Sequence, residues 1–360
     1  MSIYESLGVR RVVNACGIYT DLGGSSLGGA AWEAAVEANA TWASLDELLL
    51  ASGERIAALC GAEAARVVPG ASAGIALAVG ACIARGEGQA MEALPLRSAV
   101  VVMQRGHEYK YARCAKLAGA RVEFVDDIVG AVARGPAAVL HPAHLDGVGV
   151  PLEEVAAAAR SAGVPVVVDA AYMSFPLSDL GRWASGGDIA CFSAKYFWGP
   201  NGGGFVAGRA GLVADVAALD FTGYESGPWL TFGRAWKLDR ATVCATVAAL
   251  EEWFAVDHDA RLRGYASLAE SLAARCGALR GARVELKQFT LDERLVDGPV
   301  NAVVLRGAGA RAGDVVAGLA AGTPSVRAML DGDAIVLCTD ALRPFEIDEI
   351  ARALSLSWPN

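Results

Sequence analysis

Lysine and histidine are both scarce in this 360-residue chain. There are five lysines (Lys110, Lys116, Lys195, Lys237, Lys287) and four histidines (His107, His141, His144, His258). Lysine and arginine together number 31 against 40 acidic residues, for a net charge of −9 and a pI near 5.1. No basic block offsets that balance, so tRNA or DNA is excluded as an expected partner. The eight cysteines form no CxxC pair and sit mostly among apolar neighbours. They read as reduced, buried thiols rather than a disulfide framework. His141 and His144 lack the cysteine or carboxylate cluster that would complete a zinc site, so no metal is expected. No uninterrupted apolar run reaches the roughly 18 residues of a membrane span. The opening, MSIYESLGVRRVVNACG, lacks the basic-then-apolar layout of a signal peptide. The expectation is a cytoplasmic protein with no membrane partner.

Hydrophobic residues make up 54% and charged residues 20%, enough apolar material for one large domain and a smaller one. A glycine-rich irregular stretch, 14–29, precedes helical sequence over 30–59. A small-residue turn, 69–74, then leads into an apolar helix. Short β-branched runs at 99–104, 121–125, 137–141, 164–170 and 189–193 alternate with helical segments such as 108–118 and 152–162. Runs apolar on both faces and separated by helices indicate a mostly parallel sheet between helices, an α/β fold. A further strand at 204–207 follows too soon for a helical crossover and is expected to pair antiparallel. An amphipathic helix over 239–254 leads to mixed strands and helices. The expected division is an N-terminal segment, 1–45, serving the site and a dimer contact; a large domain, 46–245; and a small C-terminal α+β domain, 246–360.

Lys195 stands apart from the other four lysines. It follows the apolar run DIACFS and precedes the aromatic, glycine-rich YFWGPNGGG. Apolar surroundings disfavour an ammonium, and a neutral amine attacks an aldehyde; the plainer alternative is a snorkelling lysine at a strand end. Asp169 ends VPVVVD. A carboxylate at the tip of a buried strand requires a positive partner, such as a pyridinium N–H, unless it merely caps the next turn. It lies 26 residues before Lys195, one strand–helix–strand unit. Gly70, Ala71, Ser72, Ala73 and Gly74 form a small-residue entry to a helix, suited to a phosphate dianion. A hydrolase elbow at Ser72 would need a strand before it and acid and histidine partners later; only His258 lies late in the chain. Ser193 is a further phosphate ligand candidate. His107 follows a strand, where a flat ring can stack on a cofactor or simply occupy a loop. Arg234, Lys237 and Arg327 are candidates for an anionic substrate, with a solvated surface role as the alternative.

The order of these motifs resembles the fold type I enzymes that depend on pyridoxal 5′-phosphate (PLP). The carriers are RVVNACGIYTDLGGSSL, ELLLASGERIAALCGAEAARVVPGASAGIALA, QRGHEYKYARCAKLAGARVEFV, VPVVVDAAY and DIACFSAKYFWGPNGGG. The selenocysteine synthase-like branch, which holds D-glucosaminate-6-phosphate ammonia-lyase, is the most similar, and the resemblance runs from about residue 11 to 354. It implies a PLP-dependent transferase fold of type I. It implies Lys195 as the Schiff-base lysine and Asp169 as the carboxylate on the pyridine nitrogen. Ala71, Ser72 and Ala73 take the phosphate cup, and His107 the position over the ring. A single residue, Ala194, separates Ser193 from Lys195, where some relatives have two. The acidic pI and a catalytic pattern that begins by residue 11 argue against a tRNA-dependent selenium transferase.

The implied chemistry is abstraction of the α-proton of an amino-acid-like substrate by Lys195. Elimination, as by a lyase, is the first expectation. A racemase or epimerase is the alternative and needs a second acid/base, with His107, Tyr172 and Tyr224 as candidates. Transamination is also open, desulfurase chemistry lacks a cysteine in an obvious mobile loop, and a non-catalytic protein of the same fold is the reading from a different class. A homodimer or larger homo-oligomer is expected.

Overall fold

A computed structural model describes residues 2–359. The chain packs as two compact units, Ser26–Ala255 and Met1–Ser25 with Val256–Asn360.

The first unit is built on a seven-stranded sheet. In chain order its strands are β1 (Ala64–Val68), β2 (Val100–Gln104), β3 (Arg121–Val125), β4 (Ala138–Pro142), β5 (Val166–Asp169), β6 (Ile189–Ser193) and β7 (Gly204–Gly208). The spatial order is β1-β7-β6-β5-β4-β2-β3. All pairs are parallel except those of β7, which runs antiparallel to both β1 and β6. The expected antiparallel strand is therefore present. Strands β4 to β7 are buried along their whole length, as a sheet covered on both faces requires. Phe192 and Phe205 face each other across β6 and β7 with rings stacked at 4.8 Å. Such a pair adds about 0.5–1.5 kcal/mol beyond its burial.

Helix α1 (Gly29–Ala40), helix α2 (Leu45–Cys60) and helix α3 (Gly70–Ala84) precede the sheet's middle strands. The helical sequence expected over 30–59 is two helices. Residues 41–44 break it, and the Ser44 hydroxyl caps α2 by accepting from the Glu47 N–H. Helix α3 is apolar all round and buried between layers; Ile75, Leu77 and Val79 are among its fully covered side chains. It lies close on the sheet because Gly74 presents no side chain: a Cβ there would stand 3.1 Å from Val206 Cγ1 and 3.3 Å from Val68 Cγ2. Strand β1 was not expected from sequence. Its buried Arg66 pairs with Asp220 at 2.8 Å and donates to the Thr222 hydroxyl, also at 2.8 Å, which compensates a charge in the interior.

The second unit holds a five-stranded antiparallel sheet in the order Leu295–Val296, Arg283–Phe289, Ala302–Arg306, Ala334–Cys338, Met329–Asp331. Helices His258–Cys276, Ala312–Ala321 and Glu346–Ser357 share its core, with Leu272, Leu319 and Leu354 against Val303, Leu305 and Leu337. The strand Val12–Asn14 joins this unit by pairing in parallel with Ser325–Arg327. Among the described residues, no helix is long and apolar enough to cross a membrane.

Candidate active site

Strands β1, β2, β4, β5 and β6 all end on one edge of the sheet, and the motifs singled out in the sequence follow those ends. In an open α/β sheet this is the edge where ligands bind. Val68 of β1 and Ser193 of β6 both pair with Gly204 of β7. The start of α3 and the segment entering Lys195 therefore flank the same residue. Gly204 makes this approach possible: a Cβ there would lie 2.5 Å from the Phe192 carbonyl oxygen and 2.7 Å from Gly70 Cα. Gly70 itself has φ +79°, a left-handed backbone that suits glycine. Residues 70–73 are not a turn before the helix, as expected, but its first turn, whose backbone N–H groups have no partners within the helix. Ser72 is exposed there.

Asp169 and Cys191 are partners in register across β5 and β6. Asp169 is 5% exposed. Its Oδ2 accepts from the Tyr109 hydroxyl at 2.5 Å and its Oδ1 from the Ala171 N–H at 3.1 Å. Burial raises the Asp169 carboxyl above its ordinary range, and these two donors oppose that rise. Cys191, buried beside it, stays a neutral thiol because burial first and the Asp169 charge second push it far up. Lys195 is buried in the turn Ala194–Phe197, with Nζ 4.9 Å from the centre of the Tyr196 ring. Tyr109, His144, Tyr172 and Tyr196 form a row of edge-on or tilted rings at 5.4–5.9 Å centre to centre. One end of this aromatic row bonds Asp169 and the other lies against Lys195.

His107 is fully buried. Its Nε2 lies 2.7 Å from the Val148 carbonyl oxygen, which accepts only if that nitrogen carries the proton. Its Nδ1 is buried without a hydrogen-bond partner. The ring stands edge-on to His141 at 4.9 Å. His141 is bound to Asp146, and burial lowers its pKa to about 4. The helix expected over 108–118 is a 3-10 helix over Lys110–Ala118. Tyr109 is extended (φ −152°, ψ 164°) because its ring turns in to Asp169 instead of starting the helix.

Gly70–Ala73, Ser193, Lys195, Asp169 and Tyr172 thus lie at the ends of neighbouring strands. The remaining substrate candidates do not follow these strand ends. Tyr224 is half-buried in the helix Phe221–Ser226, and Arg234 pairs with Glu225 at 2.5 Å. Lys237 is exposed in the loop before Arg240–Ala255. Arg327 is exposed in the second unit, in register with Asn14. Sequence reasoning missed Tyr109, His144 and Tyr196. Tyr109 had a signal, since it stands two residues after His107 in QRGHEYKY and a buried Asp169 needs a donor. Among the described residues, no cluster of three His, Cys, Asp or Glu side chains could hold a metal.

These features fit PLP: a buried carboxylate for a pyridine N–H, a helix start at Gly70–Ala73 whose N–H groups have no partners within the helix and which Gly204 lets approach β7, and a lysine beside them. Comparison with known proteins points the same way. The chain is 26% identical to the solved structure of a D-glucosaminate-6-phosphate ammonia-lyase, with a TM-score of 0.83 over 99% of this chain and 98% of that one. It shares its fold alone with serine palmitoyltransferase of Sphingomonas wittichii (14% identity, TM-score 0.55, 97% and 87% covered) and a NifS-like protein (15%, 0.56, 97% and 99%). The fold and the edge of the sheet define a PLP-dependent enzyme of fold type I. No family model matches the chain. Two curated relatives do. One is 5′-C-glycyluridine monooxygenase-decarboxylase of Streptomyces sp, 32% identical over 79% of this chain and 73% of that protein. The other is D-glucosaminate-6-phosphate ammonia lyase of Salmonella typhimurium, 30% identical over 80% and 78%. The chain belongs to the family of the D-glucosaminate-6-phosphate ammonia-lyases, and it is a PLP-dependent enzyme of the lyase kind.

Proposed function

We propose that this lyase removes a group from the β-carbon of an amino-acid-like substrate after Lys195 has taken its α-proton. The observation that carries the reading is the placement of a buried Lys195 and a buried Asp169 at the ends of adjacent strands. Lys195 would hold the cofactor covalently and, when its amine is free, would be the base at the α-carbon of the substrate. Asp169 receives the pyridine N–H. The N–H groups at Gly70–Ala73 and the Ser72 hydroxyl hold the phosphate, with Ser193 beside them. PLP, when bound, supplies the electron sink for the α-carbon. His107, 0% exposed and edge-on to His141, has no open face for the cofactor ring, so the stacking role expected of it is not assigned. Tyr172 orients the substrate, and Tyr224, Arg234 and Lys237, which do not follow these strand ends in their own subunit, supply anion and hydroxyl contacts from a second copy.

The enzyme works as a cytoplasmic homodimer or a larger homo-oligomer. Trp32 and Val36, one turn apart on α1, are 62% and 57% exposed, and nearby Trp42 is 86% exposed; apolar surface of this kind favours a second copy. The second reading is a racemase or epimerase, in which Tyr172 supplies the proton from the face opposite Lys195. Incubation with amino acids and amino sugar acids in deuterium oxide separates the two. Elimination releases ammonia and a keto acid, whereas racemisation returns α-deuterated substrate of opposite configuration. A substrate that gives the second product and never the first would overturn the lyase.

A further inference from the structure

Asp169 receives one backbone and one side-chain hydrogen bond, and the side-chain donor is Tyr109. The Ala171 N–H is set by the turn after β5. The hydroxyl arrives from a different part of the chain, the extended residue between His107 and the helix Lys110–Ala118. Tyr109 is held in place by His144, edge-on at 5.4 Å. Its phenol stays a donor throughout the working range of pH, because burial, followed by the Asp169 charge, pushes its ionisation far above ordinary. Cys114 and Cys191 lie close to both groups and are held neutral by burial. With the phenol and both thiols neutral, Asp169 is the group of this corner left to carry a negative charge toward the cofactor. A carboxylate has about four lone-pair sites, so two donors from the chain fix its rotation and leave capacity for a third.

Resting on the PLP reading above, we propose that Tyr109 is a positioning residue. Its hydroxyl locks the Asp169 carboxylate, ionised, in the orientation that receives the pyridine N–H of the cofactor. Tyr109 acts through Asp169, as outer partners orient the ligands of a metal.

The test is a double-mutant cycle of Tyr109→Phe and Asp169→Asn on the full chain. PLP affinity is read by titration, and protonation of the cofactor's ring nitrogen by its 15N shift. Loss of one charge-assisted hydrogen bond weakens PLP binding by about tenfold in Tyr109→Phe and moves the ring nitrogen toward its unprotonated shift. In the Asp169→Asn background the same change adds nothing. A purely structural Tyr109 would lower the melting temperature and leave the nitrogen shift where it is, and that result overturns the proposal. So do effects of the two substitutions that simply multiply. Wild-type protein that binds no PLP would overturn the cofactor reading itself, and with it the role of Tyr109.

Discussion

Replacing Gly204 with alanine tests both the fold and the approach of Gly70–Ala73 to β7. The new Cβ would meet the Phe192 carbonyl oxygen at 2.5 Å and Gly70 Cα at 2.7 Å, whereas ordinary contact begins at 3.4 Å. The three backbone segments must part by 0.7–0.9 Å. Neither obstacle is a flexible side-chain tip, so the cost falls toward the upper end of overpacking, about 1–3 kcal/mol. At roughly 2–4 °C per kcal/mol for a domain of this size, the melting temperature falls by about 5–10 °C. The first turn of α3 is also pushed away from β7, so PLP binding weakens. Gly202→Ala is the control, since its Cβ meets nothing within 4 Å. Circular dichroism melts with and without PLP measure both effects. A Gly204→Ala protein that melts within about 2 °C of wild type and binds PLP equally well would refute the packing described for this edge.

Two further outcomes are expected. Asp169→Asn removes the carboxylate proposed to receive the pyridine N–H and lowers kcat/KM by on the order of 10²–10³, while folding stability stays at or above that of wild type because a desolvated carboxyl group is gone; steady-state assays and melts check both. His141 ionises near 4 in the folded chain against 6.5 for a free histidine. The unfolded chain therefore takes up a proton first, and stability falls as pH drops from about 6.5 toward 4, by up to roughly 3 kcal/mol. In His141→Gln that part of the pH slope is absent from melts across this range.

The sheet was legible because valine-rich runs, buried on both faces, spell out parallel strands without help from tertiary contacts. Asp169 and Lys195 stood out for a related reason: each is an ionisable residue at the end of an apolar run, which is costly without a purpose. Strand β1 was hidden because AARVV carries Arg66, whose charge is matched by Asp220, 154 residues away. The break between α1 and α2 turns on a cap at Ser44 within an otherwise helical composition. Tyr109 escaped notice because its partner, Asp169, is 60 residues away and the contact exists only after β2 and β5 have taken their places in the sheet. His144 and Tyr196 belong to an aromatic row that no local pattern encodes.

The central claim is that Lys195 carries the cofactor. The most direct measurement is borohydride reduction of PLP-loaded protein, followed by digestion and mass spectrometry of all five lysine-bearing segments. The expected result is a phosphopyridoxyl mass on Lys195 alone, with the visible absorbance band lost on reduction and absent from Lys195→Ala. A label on Lys110, Lys116, Lys237 or Lys287, or none on any lysine, would contradict the account.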